Sequence, residues 1–161
     1  MCRSCEGAPL VDGGAPLLRR GSSTMVTSHQ VDVGGLLAGG RQVMQVEDDV
    51  PIEPFEGITF ERPAHVRLEL RGSEGWLQVE GVVDARASGA CDVCLEPVEF
   101  DVHVDVDERL DPSAGRETDP FGESNVLMGM RLDVADLAQQ VVLSALPMGV
   151  RCGPQCPGLT Y

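Results

Sequence analysis

Six cysteines fall in three close pairs, Cys2/Cys5, Cys91/Cys94 and Cys152/Cys156. Structural zinc takes four tetrahedral ligands and favours thiolates. A Cys-x-x-Cys turn curls its backbone so that two sulfurs face one ion. Cys91-x2-Cys94 and Cys152-x3-Cys156 together supply four ligands, and 57 residues intervene between the pairs. That separation is long for a zinc ribbon, so a helix must fold the second pair back over the first. Cys2 and Cys5 have similar spacing but sit in a Gly- and Pro-rich stretch, which makes them a weak replacement pair. Three states are open to cysteines so placed: one structural Zn2+, metal-free reduced thiols, or a reversible disulfide. Thioredoxin-like chemistry is disfavoured. It needs a helix N-terminus after the motif to lower the first thiol's pKa, and here Pro97 and a strand pattern follow Cys94.

Little else in the chain suggests chemistry. All 12 basic residues are Arg, which removes Schiff-base lysines and the P-loop lysine together. His29, His65 and His103 lie beside charged neighbours and share no ligand or triad spacing; each reads as a surface residue. Asp101, Asp105 and Asp107 share one face by strand alternation, and a solvated face explains them better than an acid/base pair. GxSxG, GxGxxG, P-loop and HExxH motifs are absent. The expectation is a protein that binds and does not catalyse.

The elements that must position the cysteines follow from periodicity. Val66, Leu68 and Leu70 alternate with Arg67, Glu69 and Arg71, a half-buried strand. Gly72-Ser73-Glu74-Gly75 marks a turn, and Trp76–Val83 is the return strand. Val98 to Val106 alternates apolar and polar residues at every step, so a third arm follows. Cys91 and Cys94 then sit in the tight connection between the second and third arms. Short strands are expected over Met25–Val33, Val43–Val46 and Val126–Met130. Glu47-Asp48-Asp49 with Pro51 and Pro54, and residues 107–125, read as acidic loops. Val134, Leu137, Ala138, Val141, Val142 and Ala145 form one helical stripe. Asp133 is its N-cap, Asp136 sits three residues on, and Pro147 ends the helix. The fold class is therefore α+β: mainly an antiparallel sheet or partial barrel, with one C-terminal helix packed on it.

Length and charge set the remaining bounds. The chain has 161 residues, enough for one modest core. Residues 1–24 read as an N-terminal tail and 25–161 as a single domain, with Met1 and Met25 both plausible starts. Acidic residues number 26, and the net charge is −14 at pH 7. From Asp92 to Glu123 eleven acidic residues face only Arg109 and Arg116. Such a surface repels phosphate and attracts basic proteins, so broad gripping of bare RNA is disfavoured. Arg62, Arg67, Arg71 and Arg86 could make a small basic face on the first hairpin. No apolar run of 18 residues and no apolar leader core appear, so a cytoplasmic location away from membrane is expected. The alternating strands carry no Lys to protect their edges, which leaves dimerisation through an edge open.

Taken together, the blocks resemble a known family. They are Cys91-x-x-Cys94-Leu95-Glu96-Pro97-Val98, an alternating acidic strand, Leu132-Asp133-Val134 opening a helix that ends Ala145-Leu146-Pro147, and Cys152-x3-Cys156-x-Gly158-Leu159. Over roughly residues 28–160 this is similar to the YceD family, the large ribosomal RNA subunit accumulation proteins. The all-Arg, acidic, Gly-rich style is similar to its actinobacterial members. The resemblance implies a non-enzymatic factor supporting 23S rRNA synthesis, processing or stability. Its implied partners are ribosome assembly components, such as a basic large-subunit ribosomal protein or an rRNA-processing factor. Cys91, Cys94, Cys152 and Cys156 match the family's recurrent cysteines. Two departures stand out: Val93 replaces a basic residue common before the second Cys, and Thr160-Tyr161 stands where many members continue Cys-Pro. A zinc- or thiol-based redox sensor using the same four cysteines is the alternative reading.

Overall fold

The computed structural model describes residues 29–39, 42–73, 75–112, 126–156 and 158. The expected tail, Cys2, Cys5, Met25 and most of the 107–125 loop lie outside them.

The centre is an antiparallel hairpin of β4 (Ala64–Ser73) and β5 (Trp76–Ala90), extended on one side by β2 (Val43–Val50) and on the other by β6 (Pro97–Leu110). The short β3 (Thr59–Phe60) pairs with the far end of β5 beyond β4. A second sheet has the order β1 (Gln30–Asp32), β8 (Arg131–Asp133), β7 (Leu127–Met128). Helices are α1 (Gly34–Leu37) and α2 (Val134–Ser144). Among the described residues the two sheets do not close on each other as a barrel. The antiparallel sheet with a C-terminal helix matches the sequence pattern.

Period-2 alternation dictates the sheet. Register places Val66, Val83 and Val104 side by side across three strands, and Leu70 opposite Val79. Val66, Leu70, Val79 and Val83 have no solvent exposure. The other face is wet and paired. Asp49, His65, Asp84 and His103 form a row across four strands, with His65 Nδ1–Asp49 Oδ1 at 2.9 Å and His103 Nδ1–Asp84 Oδ1 at 2.5 Å. Helix α2 covers the apolar face with Val134, Leu137, Ala138 and Val142. It starts as expected: the Asp133 carboxylate accepts the Asp136 backbone N–H at 3.0 Å.

Four local expectations are corrected. Glu47, Asp48 and Asp49 lie within β2 rather than in a loop, because His65, Arg67 and Val66 face them across the ladder. Gly34 and Gly35 do not merely interrupt strands; they open α1, whose Leu36 is buried in the core. The Leu36 carbonyl sits so close to Gly72 that a Cβ there would overlap it. Strand β4 runs through Ser73, which pairs with Trp76, so the hairpin turn is tighter than Gly72–Gly75. His29 is not a surface residue: its side chain is 11% exposed and bonds Asp48 Oδ2 at 2.6 Å.

Three of the four arginines of the expected basic face are paired with carboxylates. Arg67 pairs with Asp84, Arg71 with Glu69, and Arg86 with Glu99 and Asp101. Arg109 stacks over Trp76, 3.6 Å from the ring centre.

Candidate metal centre

The first two ligands stand at the end of the longest ladder. Ala90 pairs with Pro97, closing the β5–β6 hairpin, and the six residues between form the knuckle. The Cys91 N–H donates to the Glu96 carbonyl at 2.8 Å, and the Leu95 N–H to the Cys91 carbonyl at 2.9 Å. Completing this curl puts Leu95 at φ 64°, a left-handed conformation that Gly adopts freely and Leu does not. Leu95 is also 65% exposed, so no packing offsets its strain.

The second pair arrives over the end of α2. The chain leaves the helix at Ala145 and passes Pro147 to Val150, whose carbonyl accepts the Asp92 N–H at 2.8 Å. That bond ties the first knuckle to the approach of the second. Gly149 passes so close that a Cβ there would lie 2.7 Å from Asp92 Oδ2. Gly153 at φ 139° turns the chain, and the Cys156 N–H returns to the Gly153 carbonyl at 3.2 Å.

All four sequence-identified cysteines converge. The Sγ atoms of Cys91, Cys94, Cys152 and Cys156 lie within 4.8 Å of one another. Cys91 Sγ is 3.7 Å from Cys156 Sγ, and Cys94 Sγ is 3.7 Å from Cys152 Sγ. A disulfide would need a separation of about 2.05 Å. Zn–S bonds of about 2.3 Å directed to a tetrahedron's corners put the sulfurs about 3.8 Å apart. Two of the sulfur separations thus match a metal tetrahedron, and the set as a whole, within 4.8 Å, is close enough to share one ion. Cys91 is buried, Cys94 and Cys156 are half-buried, and Cys152 is exposed.

The electrostatics divide the thiols. Backbone N–H groups of Cys94, Val93 and Cys152 point at Cys91 and pull its thiol down to about 6. At Cys94 the Glu96 N–H favours the thiolate, but burial and the thiols of Cys91 and Cys156 outweigh it, and its pKa rises. Cys152 is pushed up to about 12 by its hydrogen bonds to the Cys156 and Cys94 thiols. One thiolate is easy to form; four in so small a volume are not, unless a cation shares the site. The donor set fits a thiolate-binding metal.

Near the centre, sequence reasoning missed the residues on its flank. Phe55 is 44% exposed and Met148 wholly exposed, and both line a groove that Asp92 and Val150 also line. No periodicity signals exposure of this kind, because it depends on how the turn and the α2 exit meet in space.

The family model described as "Large ribosomal RNA subunit accumulation protein YceD" matches residues 79–161. The match takes in both knuckles, all of β6 and α2, and most of β5. No curated protein and no solved structure matches the chain. The half of the molecule that bears Cys91, Cys94, Cys152 and Cys156 is the matched half, and on that match the chain belongs to the YceD family of large ribosomal RNA subunit accumulation proteins.

Proposed function

We propose that this protein supports accumulation of 23S rRNA during large-subunit assembly by binding, without catalysis, and that it acts through a protein partner. The family match over residues 79–161 carries the reading. Charge supports the choice of partner. At −14, with Arg67, Arg71 and Arg86 committed to neighbouring carboxylates, the molecule offers little to a phosphate backbone and much to a basic protein. The partner class is a basic large-subunit ribosomal protein or an rRNA-processing factor acting in the cytoplasm.

Cys91, Cys94, Cys152 and Cys156 hold one structural Zn2+ in this reading. The ion supplies charge balance for four thiolates and a cross-link between the β5–β6 hairpin and the chain after α2. The protein's part is to aim backbone N–H groups at Cys91 and to fix both knuckles through the Asp92–Val150 bond.

The test is the ratio of 23S to 16S rRNA after depletion of the protein in its own organism. A selective fall in 23S, restored by the intact gene, is the expected result. An unchanged ratio would overturn the ribosomal role.

A further inference from the structure

Between the Phe55–Ile58 turn and the exit of α2 lies a groove of about 510 Å³. Gly89, Ala90 and Val150 lie along it with Ile58, and Phe55 and Met148 stand exposed beside it. Glu56 and Asp92 are the only ionisable side chains among the described residues that line it. Glu56 is held there by a tight turn. Phe55 and Ile58 exchange backbone hydrogen bonds at 3.0 and 2.9 Å, and the two residues between them are left-handed, Glu56 at φ 48° and Gly57 at φ 83°. Asn or Asp is usual at the first of these positions. A Glu there carries backbone strain that Asn or Gly would largely avoid.

The lining decides what can occupy the groove. A small polar ligand needs buried polar groups to orient it, and no polar or charged residue is buried among the described residues. Nucleic acid would set its phosphates against Glu56 and Asp92. A second copy would bring the same two carboxylates and another −14. Most side chains along the groove are apolar and its charged ones are Glu56 and Asp92, so an apolar side chain flanked by cations matches both. We infer that this groove is the docking site for a basic polypeptide segment that inserts one apolar anchor between Phe55 and Met148 and sets Lys or Arg against Glu56 and Asp92. The inference deepens the proposed function and rests on it only for the partner's identity as an assembly component.

The test uses three labelled 14-residue peptides and fluorescence anisotropy on the full chain. One peptide has a central Leu flanked by Lys and Arg, one replaces the Leu by Ser, and one replaces the cations by Glu. The first should bind, and the Ser peptide about tenfold more weakly. The Glu peptide should not bind. The Glu56→Lys/Met148→Ser variant should weaken the first peptide by about tenfold or more. Asp105→Lys, an exposed charge reversal on the distant wet face, should leave it within about twofold. Both variants should keep the wild-type circular dichroism, since Met148 is wholly exposed. Equal binding of the Leu and Ser peptides would overturn the proposal, as would equal weakening by Asp105→Lys. Expression of the double variant in depleted cells separates the two readings. If wild type restores 23S and the groove variant does not, both stand. If both proteins restore it, the groove is overturned and the function stands. If neither changes 23S while the peptide discrimination holds, the function is overturned and the groove stands.

Discussion

At Leu70 and Val79 the β4–β5 hairpin is held by side chains with no solvent exposure, packed across strands and covered by the core. Farther along, β5 leaves the sheet at Cys91, where one buried thiol and a few backbone hydrogen bonds hold a knuckle whose Leu95 and Glu96 face solvent. The first region is stabilised by apolar area, which is non-directional and tolerant of detail. The second depends on directed contacts and, in the proposed holo form, on an ion. Damage should therefore spread differently in the two regions. Loss of packing should lower global stability, whereas loss of a thiol should open one end and leave the sheet intact.

The largest expected effect is at Cys91. Replacing it with Ser should lower zinc affinity by at least about a hundredfold, since even losing a partner behind a metal ligand costs 10–100-fold. Metal content after gel filtration measures this. Hydrogen exchange should rise over 91–96 and 150–156 while β4 stays protected. Exchange rising equally in β4 would erase the contrast between the two regions. Next comes Leu70→Ala, which should cost about 2–5 kcal/mol in urea unfolding with metal retained until the global transition. Gly72→Ala should follow at about 1–3 kcal/mol, because a Cβ there meets the Leu36 carbonyl and α1 must shift. A neutral Gly72→Ala would mean that α1 is not packed on β4 as described.

Leu95→Gly runs in the opposite direction. Freeing φ 64° from its Cβ should stabilise the knuckle by about 1 kcal/mol, less the extra unfolded-state entropy of Gly. Slower metal loss to a chelator is the expected readout. Faster loss would mean that Leu95 supports the site by packing, despite its exposure.

These effects also show what could be read from the sequence. The strands around Val66–Leu70 and Val98–Val106 were legible because side-chain period 2 is imposed locally by the pleat. Helix α2 was legible because its stripe and the Asp133 cap are local signals. The cysteine set was legible as spacing, but the 3.7 Å separations depend on Asp92 meeting Val150 across the fold. Glu47–Asp49 look like a loop in isolation; they form a strand because β4 supplies His65 and Arg67 opposite them. Gly34 and Gly35 are poor helix formers, and α1 exists because Leu36 is buried beside Gly72. The groove could not be read at all, since Phe55 and Met148, far apart in sequence, line it only in three dimensions.

The smallest expected effect lies on the wet face, where His103 meets Asp84. The Asp84 carboxylate holds the imidazole's pKa above its ordinary value, and His103, through the same hydrogen bond, holds the carboxylate below its own. Arg67 acts on both, favouring the Asp84 carboxylate and opposing the imidazolium, while Asp105 reinforces the imidazolium. These are one interaction seen from two partners, so its contribution is counted once. The raised His103 pKa gives stability that is complete below the unfolded value of about 6.5 and is lost as pH rises through the folded value. The lowered Asp84 pKa gives stability that is present above about 3.9 and is lost as pH falls through its folded value. The pair therefore acts fully between about pH 4 and 6.5. With both side chains exposed, solvent screening keeps the contribution small. His103→Gln should lower the urea midpoint more at pH 6 than at pH 8.5, and added salt should shrink the gap. Taking wild type minus variant at each pH cancels contributions from groups that the substitution does not touch. An equal loss at both pH values would assign His103 to packing on the sheet and not to charge.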